Sequence, residues 1–289
     1  MSPASDFLSV LAHRRDAADL RYVYPVLSRR ARGVSIGVNL NINRACNWAC
    51  TYCQVEGLRR GAPDPVEIPR LVKELRHFLR LAREPDYLAR HVRDEALRRL
   101  ADVAFSGDGE PTGAKEFPEI VEAVTALLRE MELSEQLPIR LITNGSLIER
   151  RATQKGISRL AEAKGEVWFK VDRGSAAGML AVNQTRSQPE IVLRRLLLCA
   201  RLAPTWAETC WFAQNGRAPD AAEEEAYLAL IARAAPFIRG IHLYGLARQP
   251  RPEALEGASA ALSRLSPEKI QSWGETIAKR TGVRVEIFP

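Results

Sequence analysis

The sequence contains few cysteines and histidines, and it lacks an apolar run long enough to span a bilayer. Its 289 residues include five cysteines and four histidines. An odd number of closely spaced cysteines does not suit a disulfide framework of the kind found in secreted proteins. A transmembrane helix needs about 20 consecutive apolar residues, and no segment approaches that length. Because Met1–Arg15 lacks an apolar stretch followed by a small-residue cleavage site, we expect neither a signal peptide nor an association with membranes.

Three of the cysteines, Cys46, Cys50 and Cys53, lie in one short segment with the spacing C-x3-C-x2-C. Soft thiolates this close together can converge on one metal centre. Structural zinc normally takes four protein ligands, and neither a second C-x2-C pair nor a neighbouring histidine is present. The segment therefore favours an iron–sulfur cluster in which three thiolates leave one iron open for an exchangeable ligand. A non-catalytic iron–sulfur or zinc-binding scaffold is the alternative.

Predicted strands and helices alternate along the rest of the chain. The predicted strands are residues 36–43, 103–105, 139–143, 167–171, 208–212, 240–244 and 283–288, and the predicted helices are residues 67–81, 118–132, 154–163, 189–202, 221–234 and 267–281. Strands separated by helices indicate an α/β fold with a parallel sheet. Polar and glycine-rich residues gather at the carboxyl ends of these strands, where α/β barrels build their functional sites.

The phrase Gly109-Glu110-Pro111 follows the predicted strand 103–105. A carboxylate at this place can accept hydrogen bonds from a ligand, and the glycine lets the backbone approach that ligand. An isolated phrase of this composition would also form a surface turn. Its position after a buried strand and downstream of the cysteine segment favours the functional interpretation.

Further polar residues end the next two predicted strands. Asn144 follows strand 139–143, and Lys170 and Asp172 stand at the end of strand 167–171. Residues at such strand ends are often functional in α/β barrels. Lys170 would also suit a solvated strand end, and Asp172 would also suit a helix cap.

The cysteine spacing, with Tyr52 immediately before the third cysteine, resembles the signature of radical S-adenosylmethionine (SAM) enzymes, and residues 109–111 are similar to the GEP element of that superfamily. The resemblance implies a partial (β/α)6 TIM-like barrel with parallel strands over residues 36–289, preceded by an N-terminal extension over residues 1–35. It also implies a [4Fe-4S] cluster held by the three cysteines, with SAM on the open iron. Reductive cleavage of SAM would give methionine and a 5′-deoxyadenosyl radical, which abstracts a hydrogen atom from a substrate.

The resemblance further implies which residues contact SAM. Tyr52 would lie near the adenine, and Glu110 would accept hydrogen bonds from the SAM ammonium. Asn144 would lie beside the SAM site, and Lys170 and Asp172 would meet the ribose hydroxyls and the SAM carboxylate. The residues predicted to bind the cofactor are Tyr52, Gly109, Glu110, Pro111, Asn144, Lys170 and Asp172, and those predicted to bind the metal are Cys46, Cys50 and Cys53.

More narrowly, the chain resembles the iron–sulfur oxidoreductases related to wybutosine synthesis. Similar phrases lie at residues 105–112, 143–147 and 170–172. The loop at residues 246–252 departs from that group, and no cysteine precedes Cys46 to hold a second cluster, so direct wybutosine chemistry is not expected. We predict that the substrate is a small metabolite or a peptide, with a modified tRNA base as the alternative.

The two remaining cysteines and one basic turn carry secondary predictions. Cys199 lies in an apolar helical stretch and is predicted to be part of the core. Cys210 is on a strand that could line the barrel, where its thiol could donate a hydrogen atom to a substrate radical, although core packing also suits a cysteine. The basic turn at residues 29–32 is predicted to be solvated.

The charge of the chain and the resemblance together suggest partners. The formal net charge is +7, and a basic surface can attract RNA. The arginines are spread through helices and no RNA-binding module is recognisable, so nucleic acid is an alternative partner that we do not favour. The resemblance implies a reducing partner such as flavodoxin or ferredoxin. Unpaired thiols and an oxygen-sensitive cluster both suit a reducing cytoplasm, which is the predicted location.

Overall fold

The structure is a computed structural model that describes Leu8, residues 20–246 and residues 261–288. The predictions for most of Met1–Arg15 and for most of the loop at residues 246–252 lie outside the described residues. Within the described part of the chain, no helix is long and apolar enough to cross a membrane.

Strands and helices alternate as predicted. The strands are β1 (Val23–Ser28), β2 (Gly33–Val38), β3 (Ala45–Cys46), β4 (Arg59–Arg60), β5 (Leu100–Phe105), β6 (Ile139–Thr143), β7 (Glu166–Lys170), β8 (Thr205–Cys210), β9 (Ala213–Gln214), β10 (Gly240–Tyr244), β11 (Leu262–Ser263) and β12 (Val285–Phe288). The helices are α1 (Ile68–Leu81), α2 (Tyr87–His91), α3 (Phe117–Glu130), α4 (Arg151–Glu162), α5 (Ala176–Asn183), α6 (Pro189–Leu202), α7 (Ala221–Ala234) and α8 (Pro267–Thr281), with 3₁₀ turns at Glu95–Leu97 and Pro111–Gly113. A proline in the first turn begins α1, α3, α6 and α8, where its missing N–H costs no helical hydrogen bond.

Eight strands form one sheet in the order β1-β2-β5-β6-β7-β8-β10-β12. β1 is antiparallel to β2, and all the later neighbours are parallel. The sheet is strongly curled, as the ion pair between Arg30 in the β1–β2 turn and Glu208 on β8 shows. In a flat sheet the four strand spacings from β2 to β8 would separate them by about 19 Å. This curled, mostly parallel half-barrel confirms the predicted partial barrel.

The two faces of the sheet differ in polarity, because alternate residues of a strand point to opposite faces. Buried apolar residues on one face join the core that packs against the helices: Val103, Phe105, Leu141, Val167, Phe169, Ile241 and Leu243. The intervening positions carry polar and charged residues: Asp102, Arg140, Glu166, Lys170, Glu208 and His242. Since Arg30 reaches Glu208, the polar face is the inner face of the curl.

Several local elements differ from the prediction. β2 ends at Val38 instead of continuing to residue 43, because Asn39 Oδ1 accepts a hydrogen bond from Asn41 N (3.0 Å) and turns the chain out of the sheet. β8 ends two residues earlier than predicted, at Cys210. β1 lies within the predicted N-terminal extension, residues 1–35, for which no strand was predicted. α5 was not predicted, because its run of small residues has no amphipathic period.

Candidate functional site

The three clustered cysteines lie on one loop that faces the carboxyl ends of the parallel strands. Cys46 ends β3, and its carbonyl oxygen accepts a hydrogen bond from Gly61 N (3.1 Å). Cys53 N donates to the carbonyl oxygen of Cys50 (3.0 Å), which closes the second half of the loop into a turn. Cys46 and Cys50 line a cavity of about 190 Å³, and Cys53 lines an adjoining cavity of about 320 Å³. Among the described residues, no three His, Cys, Asp or Glu side chains are placed to hold a single metal ion.

The C-terminal end of α5 holds the cysteine loop in place. Thr51 N donates to the carbonyl oxygen of Val182 (2.8 Å), and Ala49 N donates to that of Asn183 (3.4 Å). The side chain of Asn183 is buried, and its Nδ2 donates to Cys50 Sγ (3.3 Å). The sequence interpretation did not assign Asn183 to the site, and the signal that could have found it is a polar residue ending an otherwise apolar helix.

Glu110 is buried beside the cysteines and is held by four hydrogen bonds. Its Oε1 accepts from Thr112 N (3.1 Å), Thr112 Oγ1 (2.5 Å) and Thr143 Oγ1 (2.6 Å), and its Oε2 accepts from Asn144 N (2.7 Å). Burial raises the pKa of Glu110, and these hydrogen bonds partly oppose the shift. Each oxygen of an ionised carboxylate offers about two lone-pair positions, and one of the four hydrogen bonds is to Oε2, so Oε2 keeps room for a further donor. Glu110 lines the smaller cavity, as a residue that binds an ammonium group would.

Three further predicted residues, Gly109, Pro111 and Asn144, lie between the strand ends and the cysteine loop. A Cβ on Gly109 would collide with the carbonyl oxygen of Ala45, so glycine permits this turn to pack on the loop. Pro111 begins the 3₁₀ turn that Glu110 caps. Asn144 Nδ2 donates to Asn47 Oδ1 (2.9 Å), which joins the end of β6 to the cysteine loop. Gly109 and Asn144 both line the smaller cavity.

Asp172 joins the cysteine loop to the ends of two strands. Its Oδ2 accepts from Tyr52 Oη (2.6 Å) and Asn183 Nδ2 (2.7 Å), and its Oδ1 accepts from Cys210 N (2.9 Å). Asp172 is buried and does not cap a helix, since Ser175 is the capping residue of α5. The helix-cap alternative is therefore wrong, and the structure brings Tyr52 and Asp172 together as a hydrogen-bonded pair.

Lys170 lies at the junction of the two cavities, with its side chain 16% exposed, and lines both of them. Its Nζ donates to Tyr244 Oη (3.0 Å), lies 3.6 Å from Asp172 Oδ1 and lies 5.0 Å from the ring centroid of Tyr52. Burial acts to lower the pKa of Lys170, but Asp172 and Tyr244 outweigh it and hold the pKa well above its usual range. Lys170 is therefore a partly buried cation that is paired with Asp172, and it is not a fully solvated strand end.

The two isolated cysteines occupy different environments. Cys210 is the last residue of β8 and is buried in an apolar cluster with Val182 and Phe212, as predicted for core packing, and it also lines the larger cavity. Burial raises the pKa of Cys210 to about 12, so its thiol keeps its proton at neutral pH. Cys199 is fully buried on α6 and belongs to the core, as predicted. Burial likewise raises the pKa of Cys199 to about 12.

The prediction of a solvated basic turn is wrong for Arg30. Its side chain is 26% exposed, forms an ion pair with Glu208 and lines the larger cavity. Glu208 Oε1 also contacts His242 Nδ1 (2.9 Å). Burial acts to lower the pKa of Arg30, but the Glu208 carboxylate outweighs it and the net shift is upward. Sequence reasoning missed this contact because Arg30 and Glu208 are 178 positions apart.

Comparisons with known proteins agree with the fold and with the cysteine loop. Residues 40–173 match the model of the radical SAM superfamily. A curated relative, GTPase Obg from Brachyspira hyodysenteriae, is 26% identical over 130 residues, which make up 44% of this chain and 16% of that protein. The chain thus matches less than a fifth of the length of that relative.

Two solved structures share the fold. A radical SAM methyltransferase from Sphaerobacter thermophilus aligns with a TM-score of 0.61 at 16% identity, over 92% of this chain and 69% of that chain. The structure of anSMEcpe with bound AdoMet aligns with a TM-score of 0.50 at 17% identity, over 87% of this chain and 63% of that chain. At these identities the likeness shows a common half-barrel fold.

Proposed function

We propose that the protein is an enzyme that cleaves SAM reductively and uses the resulting radical to abstract a hydrogen atom from a small metabolite or a peptide, because residues 40–173 match the model of the radical SAM superfamily. Radical SAM enzymes use a [4Fe-4S] cluster together with SAM. The observation that carries the proposal is the arrangement of Cys46, Cys50 and Glu110 around one cavity.

The residues around this cavity fit both cofactors. Cys46, Cys50 and Cys53 are three soft ligands on one loop, as an iron–sulfur cubane with one open iron requires. Each thiolate of a cubane binds a different iron, so these ligands need not surround a single ion. Glu110 Oε2 retains capacity for a further donor, which suits the ammonium of SAM.

Cys46, Cys50 and Cys53 would hold the [4Fe-4S] cluster, which would supply the electron for reductive cleavage of SAM. We propose that the chain orients SAM through its own groups. Glu110 binds the ammonium group of SAM, and Lys170 attracts its carboxylate. The hydrogen-bonded pair of Tyr52 and Asp172 lies beside the adenosine. Asn144 braces the cysteine loop against β6 and so positions the ligands.

Cys210 is proposed to be a hydrogen-atom donor for the substrate radical. It keeps its thiol proton at neutral pH and lines the larger cavity beside Lys170 and Tyr244. Donation of the hydrogen atom forms a C–H bond in the product and leaves a sulfur radical on Cys210. An external one-electron donor, for which we propose flavodoxin or ferredoxin, must then reduce that radical.

We keep three finer assignments as proposals. The chain carries phrases of the wybutosine-related group at residues 105–112 and 143–147, so we propose kinship with that group and not its reaction. Whether the reaction is a net oxidation, a group transfer or an elimination depends on the substrate. Five cysteines that form no disulfide and an oxygen-sensitive cluster support a cytoplasmic location.

The decisive experiment is anaerobic purification, reconstitution with iron and sulfide, reduction, and detection of 5′-deoxyadenosine from added SAM by mass spectrometry. We expect about four irons per chain, as one cubane requires, and production of 5′-deoxyadenosine. Cys50→Ala should lose both iron and cleavage, whereas Cys199→Ala, which changes a core cysteine outside the loop, should keep both.

Three outcomes would contradict the proposal. Cleavage retained in Cys50→Ala would refute the ligand assignment. A complete cluster without SAM binding or cleavage would indicate an iron–sulfur scaffold. Zinc retained in place of iron after reconstitution would indicate the zinc-binding alternative.

A further inference from the structure

The larger cavity, of about 320 Å³, lies inside the curl of the sheet and has cationic side chains on its wall. Three of them line it, Arg29, Arg30 and Lys170, and among the described residues Glu208 supplies the one carboxylate that lines it. Lys170 also lies 3.6 Å from Asp172 and, in the proposed function, attracts the SAM carboxylate. The capacity of this cavity to bind a further anion therefore depends on the guanidinium of Arg30.

Arg30 is held in a fixed orientation at the wall of this cavity. Its guanidinium lies 5.2 Å from the ring centroid of Trp168 and 4.7 Å from that of Tyr244, and it is paired with Glu208. His242 in turn contacts Glu208 from the far side. A guanidinium has five N–H donors in a planar fork. Pairing with one carboxylate oxygen therefore leaves donors that can bind a second oxyanion.

The position of Arg30 connects the larger cavity to the proposed SAM site. Tyr244 packs against Arg30 with its ring and accepts a hydrogen bond from Lys170 through its hydroxyl (3.0 Å). Lys170 lines both cavities, and the smaller cavity also contains Cys50 and Glu110. A molecule anchored at Arg30 would thus extend toward the place where the radical is formed.

The size of the cavity limits the molecule that it holds. A volume of about 320 Å³ is near the lower end of the range of roughly 300–1,000 Å³ for small-molecule sites. The rings of Tyr24, Tyr52 and Tyr244 line the same cavity and offer apolar surface beside the cations. The walls therefore suit a small molecule with one anionic end and one apolar part.

Given the proposed radical SAM function, on which this step rests, we propose that the substrate is a compact organic anion whose carboxylate or phosphoryl group is bound by Arg30. Arg29 adds to the attraction from the same wall, and Glu208 and His242 position the guanidinium. The apolar part of the substrate lies against the tyrosine rings and presents a C–H bond toward the smaller cavity.

A purely structural role for Arg30 makes a different prediction. If Arg30 only fastened the β1–β2 turn to β8, its loss would lower the melting temperature without changing which small molecules bind. Arg32 provides a matched control, because it is an exposed arginine of the same turn that does not line the cavity. Arg32→Gln removes the same charge from the same turn.

The test compares benzoate, phenylphosphonate and the neutral isostere benzamide as probes of the reconstituted full-length protein in the presence of SAM. Their dissociation constants are measured by calorimetry or ligand-observed NMR. We expect at least one of the two anions to bind about tenfold or more tightly than benzamide, as a charge-assisted hydrogen-bonded pair predicts. Preference for benzoate identifies a carboxylate substrate, and preference for phenylphosphonate identifies a phosphorylated one.

Variants of Arg30 and Arg32 test whether the preference for anions over benzamide depends on Arg30. Arg30→Gln should abolish the preference for the anion, Arg30→Lys should retain part of it, and Arg32→Gln should retain all of it. Equal binding of anions and benzamide to the native protein overturns the proposal even if Arg30→Gln does not fold. An anion preference that survives in Arg30→Gln also overturns it.

Measuring 5′-deoxyadenosine on the same native preparation separates this proposal from the proposed function. Anion preference without SAM cleavage would refute the radical SAM reaction and leave an anion site at Arg30. Cleavage without anion preference would refute the substrate class alone.

Discussion

Glu110 is the residue at which the proposed SAM chemistry can be tested most directly. Glu110→Gln keeps the shape of the side chain but removes the charge and one acceptor. A hydrogen bond to a charged group contributes about 1.5–3 kcal/mol, so we expect the affinity for SAM to fall by about 10- to 100-fold. The iron content should not change, because Glu110 is not a thiolate ligand.

Equilibrium binding of SAM to the reconstituted variant, with iron analysis on the same sample, checks this prediction. Glu119→Gln is a suitable control, since Glu119 is exposed in the first turn of α3. An affinity for SAM that matches the native protein would show that Glu110 serves only to brace Thr112 and Thr143.

Glu208 should make the stability of the protein depend on pH. Burial acts to raise the pKa of Glu208, but Arg30 and His242 outweigh it and the net shift is downward. A carboxyl whose folded-state pKa is lowered stabilises the protein above its unfolded-state pKa of about 4.3. That contribution is lost as the pH falls through the folded-state value.

Glu208→Gln should therefore lower the free energy of unfolding at pH 7 by about 2–4 kcal/mol, since it removes one partner of a buried pair. The difference from the native protein should narrow below pH 4. Urea denaturation at pH 7 and below pH 4 measures the difference in the free energy of unfolding between Glu208→Gln and the native protein. Glu225→Gln, which breaks an exposed pair with Arg280, should leave the midpoint nearly unchanged. A difference between Glu208→Gln and the native protein that is equal at both pH values would contradict the assigned shift.

At the scale of elements, β1 packs against β2 through the ring of Tyr24, which lies across β2. Tyr24 on β1 is the register partner of Gly37 on β2, and its hydroxyl hydrogen-bonds with Ser106 Oγ beyond β5 (3.0 Å). A Cβ on Gly37 would overlap the Tyr24 ring. The ring therefore crosses β2 only because that position lacks a side chain.

Gly37→Ala should destabilise the protein by about 1–3 kcal/mol, because the added methyl group displaces the Tyr24 ring. A double-mutant cycle with Tyr24→Ala tests this cause by thermal or urea denaturation. Once the ring is absent, Gly37→Ala should cost little. If the two changes are additive instead, the ring is not the source of the strain.

Elements with a clear hydrophobic period were predictable from the sequence, and those without one were not. α1 buries Leu71, Leu75 and Phe78 at helical spacing, and its bounds agree with the prediction within one residue. α5 consists largely of small residues with no polar face, so no period revealed it. Since α5 carries Asn183, the hydrogen bond to Cys50 was missed together with its helix.

At the scale of the whole molecule, predictability depended on whether a contact is local or arises from the curl of the sheet. The cysteine loop and residues 109–111 were recognisable because each is a short continuous phrase. The fold class followed from alternating strands and helices. The contact of Arg30 with Glu208 requires the sheet to bend until β1 and β8 face each other, and no local pattern of residues encodes that curvature.

The net charge of the whole molecule provides the last prediction, which concerns tRNA as the alternative substrate. A charge of +7 attracts phosphates independently of the nucleotide sequence. Such binding weakens steeply as the salt concentration rises, because the release of counterions from the nucleic acid then favours binding less. We expect bulk tRNA to shift the protein in a gel at about 50 mM salt and to release it near 200 mM. A DNA of similar length should behave alike. Production of 5′-deoxyadenosine should not increase when tRNA is added, because we propose that the larger cavity, lined by Arg30, binds a compact anion instead of a nucleotide in a folded RNA. Salt-resistant binding of tRNA over DNA, with stimulated SAM cleavage, would instead identify a tRNA base as the substrate.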